Sequence, residues 1–259
     1  MNFDPSIFWE YLLRPSTVYL NGLWLTLSIS VIAQALGTVL GLFLALATIS
    51  RYRSLNLPAR FFVWAFRGTP LLVQIVFIYT GLAAAGLYRF EDVDLGIAVL
   101  PGNIQAGVLA LTLNAAAYMA EIIRAGIGSV GVGQAEASKS LGMTYPLYMR
   151  RIILPQAARV VIPPLGNEFN AMLKNTTLLS VIGVPELLLA TQMVTTVTFR
   201  VFELYLVVAC YFLTLTTLWG FIQVRIERRY GDPAARAAYK KAGSIYRRML
   251  GFGAVKEPK

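Results

Sequence analysis

Residues 18–49 contain no Asp, Glu, Lys or Arg, and the interruptions in this run are small or weakly polar: Thr26, Ser28, Gln34 and Gly37. A helix needs about 20 apolar residues to cross a bilayer, so the run is long enough to span with tilt. Asp4, Glu10 and Arg14 precede it in place of a basic cluster. With the length of the run, that points to a retained span and away from a cleaved signal peptide. Further apolar runs lie at about 61–87, 104–127, 156–173 and 202–225. The expected architecture is an all-α membrane protein with five transmembrane helices, a membrane domain over 16–230 and a basic tail over 231–259. With 57% hydrophobic and 14% charged residues the composition belongs to the same class.

Charge sets the expected orientation. Arg51, Arg53 and Arg60 follow the first run; Lys139, Arg150, Arg151 and Arg159 follow the third; ten more basic residues occupy the stretch from Arg225 to Lys259. These are seventeen of the 23 basic residues, whereas the segment with Arg89, Glu91, Asp92 and Asp94 is net acidic. The positive-inside rule then places the N-terminus outside and the C-terminus in the cytoplasm, which requires an odd number of spans. The net charge of +10 speaks for cytoplasmic loops and acidic membrane lipids as partners, and not for nucleic acid. No His and a single Cys remove Ser–His and Cys–His couples, imidazole metal sites and intrachain disulfides. No GxxxxGK[ST] phosphate loop is present, so the chain cannot use ATP by that route.

Between the third and fourth runs, residues 134–141 suit a short helix that Gly142 ends. Thr144 or Tyr145 can cap a second helix begun by Pro146. A helical elbow at 133–155 results, with Ala135, Ala137 and Ser138 small enough for close approach. Leu141, Met143, Tyr145 and Leu147 offer apolar contacts that a lone chain leaves exposed.

Glu136-Ala137-Ser138, then Gly142, then Ile152-x-Leu154-Pro155 resembles the EAA loop of permease subunits in bacterial ATP-binding cassette importers, with Ser138 in place of the signature's second Ala. The resemblance implies a coupling helix seated in a groove of the ATPase subunit, with Glu136, Ala137, Ser138, Gly142 and Pro155 at the contact. It extends over roughly 16–230. Arg67-Gly68-Thr69-Pro70-Leu71-Leu72-Val73-Gln74, Ala117-Tyr118-Met119-Ala120-Glu121-Ile122-Ile123-Arg124 and Leu173-Lys174-Asn175-Thr176-Thr177-Leu178 are similar to segments of the polar amino acid uptake branch. That branch has Asp where this chain has Asn175, so no carboxylate role transfers there. Pro163-Pro164 matches a break in the fourth span. The implied partners are ATPase subunits that bind ATP and Mg, an extracytoplasmic amino acid-binding protein, and a second permease copy or paralogue, all at the bacterial inner membrane. This chain itself would hold no cofactor or metal.

Ionisable groups at membrane depth are costly unless paired or facing a cavity, and so are functional candidates. Asn114, Tyr118 and Glu121 share one helix face, with Arg124 three residues on, in reach of Glu121. That pair reads either as a structural ion pair or as part of a gate. In the fourth run Asn167, Asn170 and Lys174 form a stripe with Glu168 about one helical step round. Glu168 suits an ammonium group and Lys174 a carboxylate, and the Asn amides donate or accept, the mixture a zwitterion needs. With Gln74 and Tyr118 these are the candidate substrate contacts. Thr69-Pro70 suits an N-cap and first helical position, and Arg67 either a headgroup anchor or a second cytoplasmic contact. Two rival readings are a membrane-embedded enzyme using Glu121, Glu168 or Glu186, and a passive channel. Co-purification with an ATPase separates the transporter from both.

Overall fold

The computed structural model describes residues 3–94, 96 and 99–230. The basic tail at 231–259, expected to be partly helical and peripheral, lies outside the described residues. In chain order the elements are α1 (Pro5–Leu13), α2 (Thr17–Thr48), α3 (Arg53–Gly68), α4 (Leu71–Val76), a π turn (Phe77–Gly81) and α5 (Leu82–Ala84). Strands β1 (Val93–Asp94) and β2 (Val99–Leu100) precede α6 (Gly102–Gly128), α7 (Val132–Ser140) and α8 (Tyr145–Tyr148). A second π turn (Met149–Ile153) leads into α9 (Leu154–Asn175), a 3₁₀ turn (Thr176–Ile182), α10 (Leu187–Thr198) and α11 (Val201–Tyr230). The antiparallel hairpin, Val93 opposite Leu100 and Asp94 opposite Val99, is a small exception to the expected all-α chain.

Among the described residues three helices, α2, α6 and α11, are each long and apolar enough to cross a membrane. The number rises to five if two bent pairs each count as one span. The run at 61–87 is one of these pairs: α3 meets the segment Leu71–Ala84 at 110°. Pro70 has no N–H with which to continue α3, and it drives Thr69 into extended backbone at φ −116°, ψ 146°. Thr69 therefore closes α3 and Pro70 occupies the cap position of α4, one residue later than the expected cap pair. The expectation at Pro163-Pro164 is also corrected, because α9 runs through both prolines. The bend in that span, 51°, falls between Ile182 and Leu187, where Gly183 takes the left-handed conformation at φ +78°.

The described chain divides into two compact units, residues 3–125 with 165–220, and 126–164 with 221–230. In the first, α2 crosses α6 through small residues. A methyl group at Gly37 would lie 2.6 Å from Ala115 Cβ, and one at Gly41 2.6 Å from Met119 Cβ. Ala106, Ala110, Ala115, Ala116 and Ala117 of α6 are fully buried or nearly so, while Trp24, Val31, Val39 and Phe43 of α2 point outward. Small residues inside and large apolar ones outside is the distribution that backbone packing in lipid selects. A second cluster joins Tyr19 to Leu187, Val207 and Val208. It anchors α1, where the Asp4 backbone N–H donates to Glu203 Oε1 at 3.0 Å and the Tyr211 hydroxyl donates to the Leu12 carbonyl at 3.1 Å. Hydrogen bonds from the Ser6 side chain, then its backbone, hold the Asp4 carboxyl below the usual range. The second unit contains the elbow.

Candidate functional site

The elbow forms as its sequence dictates. Helix α7 starts at Val132, two residues earlier than expected, and ends in a Schellman closure: Met143 N–H donates to the Ser138 carbonyl at 3.1 Å and Gly142 N–H to the Lys139 carbonyl at 2.9 Å. Gly142 supplies the left-handed backbone at φ +74°. Thr144 occupies the cap position of α8 with Pro146 in its first turn, although its hydroxyl makes no capping bond. Glu136, Ala137, Gly142 and Pro155 are exposed. Leu141, at 81% exposure, stands out with Tyr145 and Val132 as an uncovered apolar group. Ser138 differs from the expected contact residues: it is 2% exposed and its hydroxyl donates to the Gln134 carbonyl at 2.6 Å. Its small size serves packing within the unit.

A second arrangement sits at the bend between α3 and α4. The Gln74 amide nitrogen donates to the Phe66 carbonyl at 2.7 Å, the Thr69 hydroxyl at 2.8 Å and the Thr69 carbonyl at 3.1 Å. Its amide oxygen accepts from Asn114 Nδ2 of α6 at 2.9 Å. Carbonyls at the end of a helix have no intrahelical partner, and inside a membrane they must find one in protein. Gln74, expected as a substrate contact, thus spends its amide on the orphaned end of α3 and on α6.

Tyr118 and Glu121 belong to a different cluster. Arg124 grips Glu121 through both its Nε, at 3.0 Å, and a terminal nitrogen, realising the pair expected from their spacing. The fourth member, Arg67 from α3, lies 3.9 Å from the same carboxylate and 5.5 Å from the centre of the Tyr118 ring. Sequence reading missed this member, although two opposite charges in separate apolar runs were the available signal. The cluster lines a cavity of about 600 Å³ that also takes in Arg60, Trp64 and Thr48.

On α9, Asn167 and Lys174 are exposed and Glu168 and Asn170 half-buried. The side chains of Glu168, Asn170 and Lys174 have no hydrogen bond or ion pair among the described residues. Gln74 bonds Asn114 and Tyr118 lies against Arg67, so the six expected substrate residues fall into three separate places. Opposite the stripe, Trp219 Nε1 donates to the Gly166 carbonyl at 2.8 Å and its ring packs 4.3 Å from Phe169, fixing the helix to α11. Glu186, a candidate acid or base in the enzyme reading, is fully buried. Its carboxylate accepts from the N–H groups of Leu188 at 2.8 Å and Leu189 at 2.9 Å. Both oxygens are committed to capping α10, so it is a structural group.

The chain is similar to known transport proteins. The octopine transport system permease protein OccM of Rhizobium radiobacter is 44% identical over 189 residues, covering 72% of this chain and 74% of its own. The probable glutamine ABC transporter permease protein GlnM of Bacillus subtilis is 39% identical over 218 residues, covering 83% and 95%. A crystal structure of an amino acid ABC transporter with histidines superposes with a TM-score of 0.78 at 38% identity, over 88% of this chain and 100% of that one. These are transport subunits and not enzymes, and the family model described as the binding-protein-dependent transport system inner membrane component matches residues 37–232. The chain belongs to that family of inner membrane components of binding-protein-dependent transport systems.

Proposed function

We propose that this chain is the permease subunit of an ATP-driven importer that carries polar amino acids across the bacterial inner membrane. It would have five spans, the N-terminus outside and the C-terminus in the cytoplasm. The observation that carries the substrate class is the group on α9. A carboxylate, two amides and an ammonium lie within eight residues at membrane depth, and Glu168, Asn170 and Lys174 have no partner within the described chain. A charge is retained in a low-dielectric setting when a ligand or cavity water completes it, and a zwitterion presents both complementary charges. The names of OccM and GlnM, with the amino acid transporter of known structure, support the same class.

The elbow supports docking to a separate ATPase: Leu141 and Tyr145 offer an apolar knob held by a rigid turn, and the chain lacks a phosphate loop of its own. Substrate would arrive from an extracytoplasmic binding protein, with a second permease chain completing the path. Movement of the elbow would reach the spans along α6 and α9, which the chain joins directly to it. The test is uptake in vesicles carrying the whole complex. Glu168→Gln should keep ATPase docking and basal hydrolysis, yet lose about tenfold to a hundredfold in apparent affinity, as loss of a charge-assisted bond of about 1.5–3 kcal/mol predicts. Unchanged concentration dependence would make Glu168 a structural residue.

A further inference from the structure

The cavity lined by Arg60, Trp64, Arg67, Tyr118, Glu121 and Arg124 has no part in the reading above. Three guanidinium groups face one carboxylate there, an excess of two positive charges. Glu121 is fully engaged by Arg124 and approached by Arg67. Arg60 has no ion pair or hydrogen bond among the described residues. Arg60 and Arg67 are seven residues apart on α3, so they project from one face two turns apart, with Val63 and Trp64 between them along the cavity wall. The side chains of Arg67 and Arg124 are 41% and 46% exposed, and Arg124 keeps one terminal nitrogen that does not bond Glu121. Converging guanidinium donors of this kind recognise an oxyanion, and a phosphate better than a neutral headgroup.

The rim differs from the floor. Trp64, which lines the cavity, is 70% exposed, and the ring of Phe61, 66% exposed and outside the lining, lies 5.7 Å from it. Exposed aromatics bordering a basic floor match a ligand with an anionic head and an apolar body. Thr48, the last residue of α2, lines the same cavity, so the site lies at one end of a span, at headgroup depth.

We propose that this cavity is a binding site for one acidic phospholipid, its phosphate held by Arg60 and the remaining donors of Arg67 and Arg124, its acyl chains lying over Phe61 and Trp64. The site requires only that the chain be inserted in a membrane. It depends on neither the substrate class nor the direction of insertion.

The test uses the complete transporter in nanodiscs of phosphatidylglycerol and phosphatidylcholine, with retained lipid counted by native mass spectrometry after release into detergent. Wild type should keep phosphatidylglycerol in preference to phosphatidylcholine. Arg60→Gln should lower that retention about fivefold, the loss of one basic group at a headgroup site, and Arg60→Lys should keep most of it. Arg60 is chosen because its removal leaves the Glu121 pair intact, and a thermal melt matching wild type confirms that the variant is folded. Equal retention of the two lipids, or unchanged retention in Arg60→Gln, would overturn the proposal. So would displacement of the lipid by excess free glutamine, which would make the cavity a carboxylate site on the substrate path. Unaltered uptake in Arg60→Gln alongside lost lipid would leave the transport reading intact, so failure of one is separable from failure of the other.

Discussion

Replacing Gln74 by Met keeps much of the side chain's length and removes its hydrogen bonding. The variant removes the acceptor to which the Asn114 amide donates at 2.9 Å, and leaves that amide and the Phe66 carbonyl only their mutual longer contact at 3.4 Å. The Thr69 carbonyl loses its bond from Gln74 at 3.1 Å. Asn114 is buried whereas Thr69 is exposed, and a buried polar group left without a good partner costs about 1–3 kcal/mol, so the loss is placed at about 1–3 kcal/mol. Unfolding of the purified complex in mild detergent, followed by tryptophan fluorescence, would measure it. Asn114→Leu alone should cost less, because Gln74 keeps its bonds to Phe66 and Thr69. The double variant should cost less than the sum, by a coupling of about 0.5–3 kcal/mol. A Gln74→Met complex that unfolds like wild type, or an additive cycle, would refute the clasp. If Gln74→Met instead changed only the concentration dependence of uptake, the amide would belong to substrate binding.

The parts of this chain that were legible in advance rest on local backbone chemistry. Gly142 ends α7 because a left-handed residue is needed three positions from Lys139, and Pro146 sits in the first turn of α8 because its missing N–H costs nothing there. Arg124 meets Glu121 because a helix brings residues three apart together. What proline does inside an apolar run was not legible. Pro70 breaks its helix and Pro163-Pro164 do not. At Pro70 the Gln74 amide turns back and satisfies the Phe66 carbonyl that the proline frees, with that of Thr69. At Pro163-Pro164 the freed carbonyls are those of Arg159 and Val160, and α9 carries on through both prolines. The same holds for Arg67, whose partner Glu121 lies on another helix, and for Gln74 with Asn114: a period fixes a residue's face but not what faces it. The Gly37-x-x-x-Gly41 spacing on α2 was a readable sign of close helix packing, and the sequence reading treated Gly37 only as an interruption.

Gly37→Val should destabilise the α2–α6 crossing by about 1–3 kcal/mol, since even one added carbon would meet Ala115 Cβ at 2.6 Å; a wild-type melt would show that the crossing relaxes. In a Cys210→Ser background, Asp92→Cys should react with an impermeant thiol reagent added outside intact cells and Ser140→Cys should not, as the proposed orientation requires; the reverse pattern would invert the topology. Gly142→Leu tests the elbow. No atom lies within 4 Å of a carbon added at Gly142, so space is available and the penalty is the backbone's, about 1–2 kcal/mol for a side chain held at φ +74°. A penalty of that size on an exposed turn leaves the spans folded but favours reopening the turn, which displaces Leu141 and Tyr145 from their present positions. ATP hydrolysis should then continue at its basal rate while uptake falls and binding protein no longer stimulates it. Gly142→Asn, which tolerates the left-handed region, should restore coupling. If Gly142→Leu transports at the wild-type rate, the geometry of the turn does not transmit the stroke, and the apolar knob must act without it.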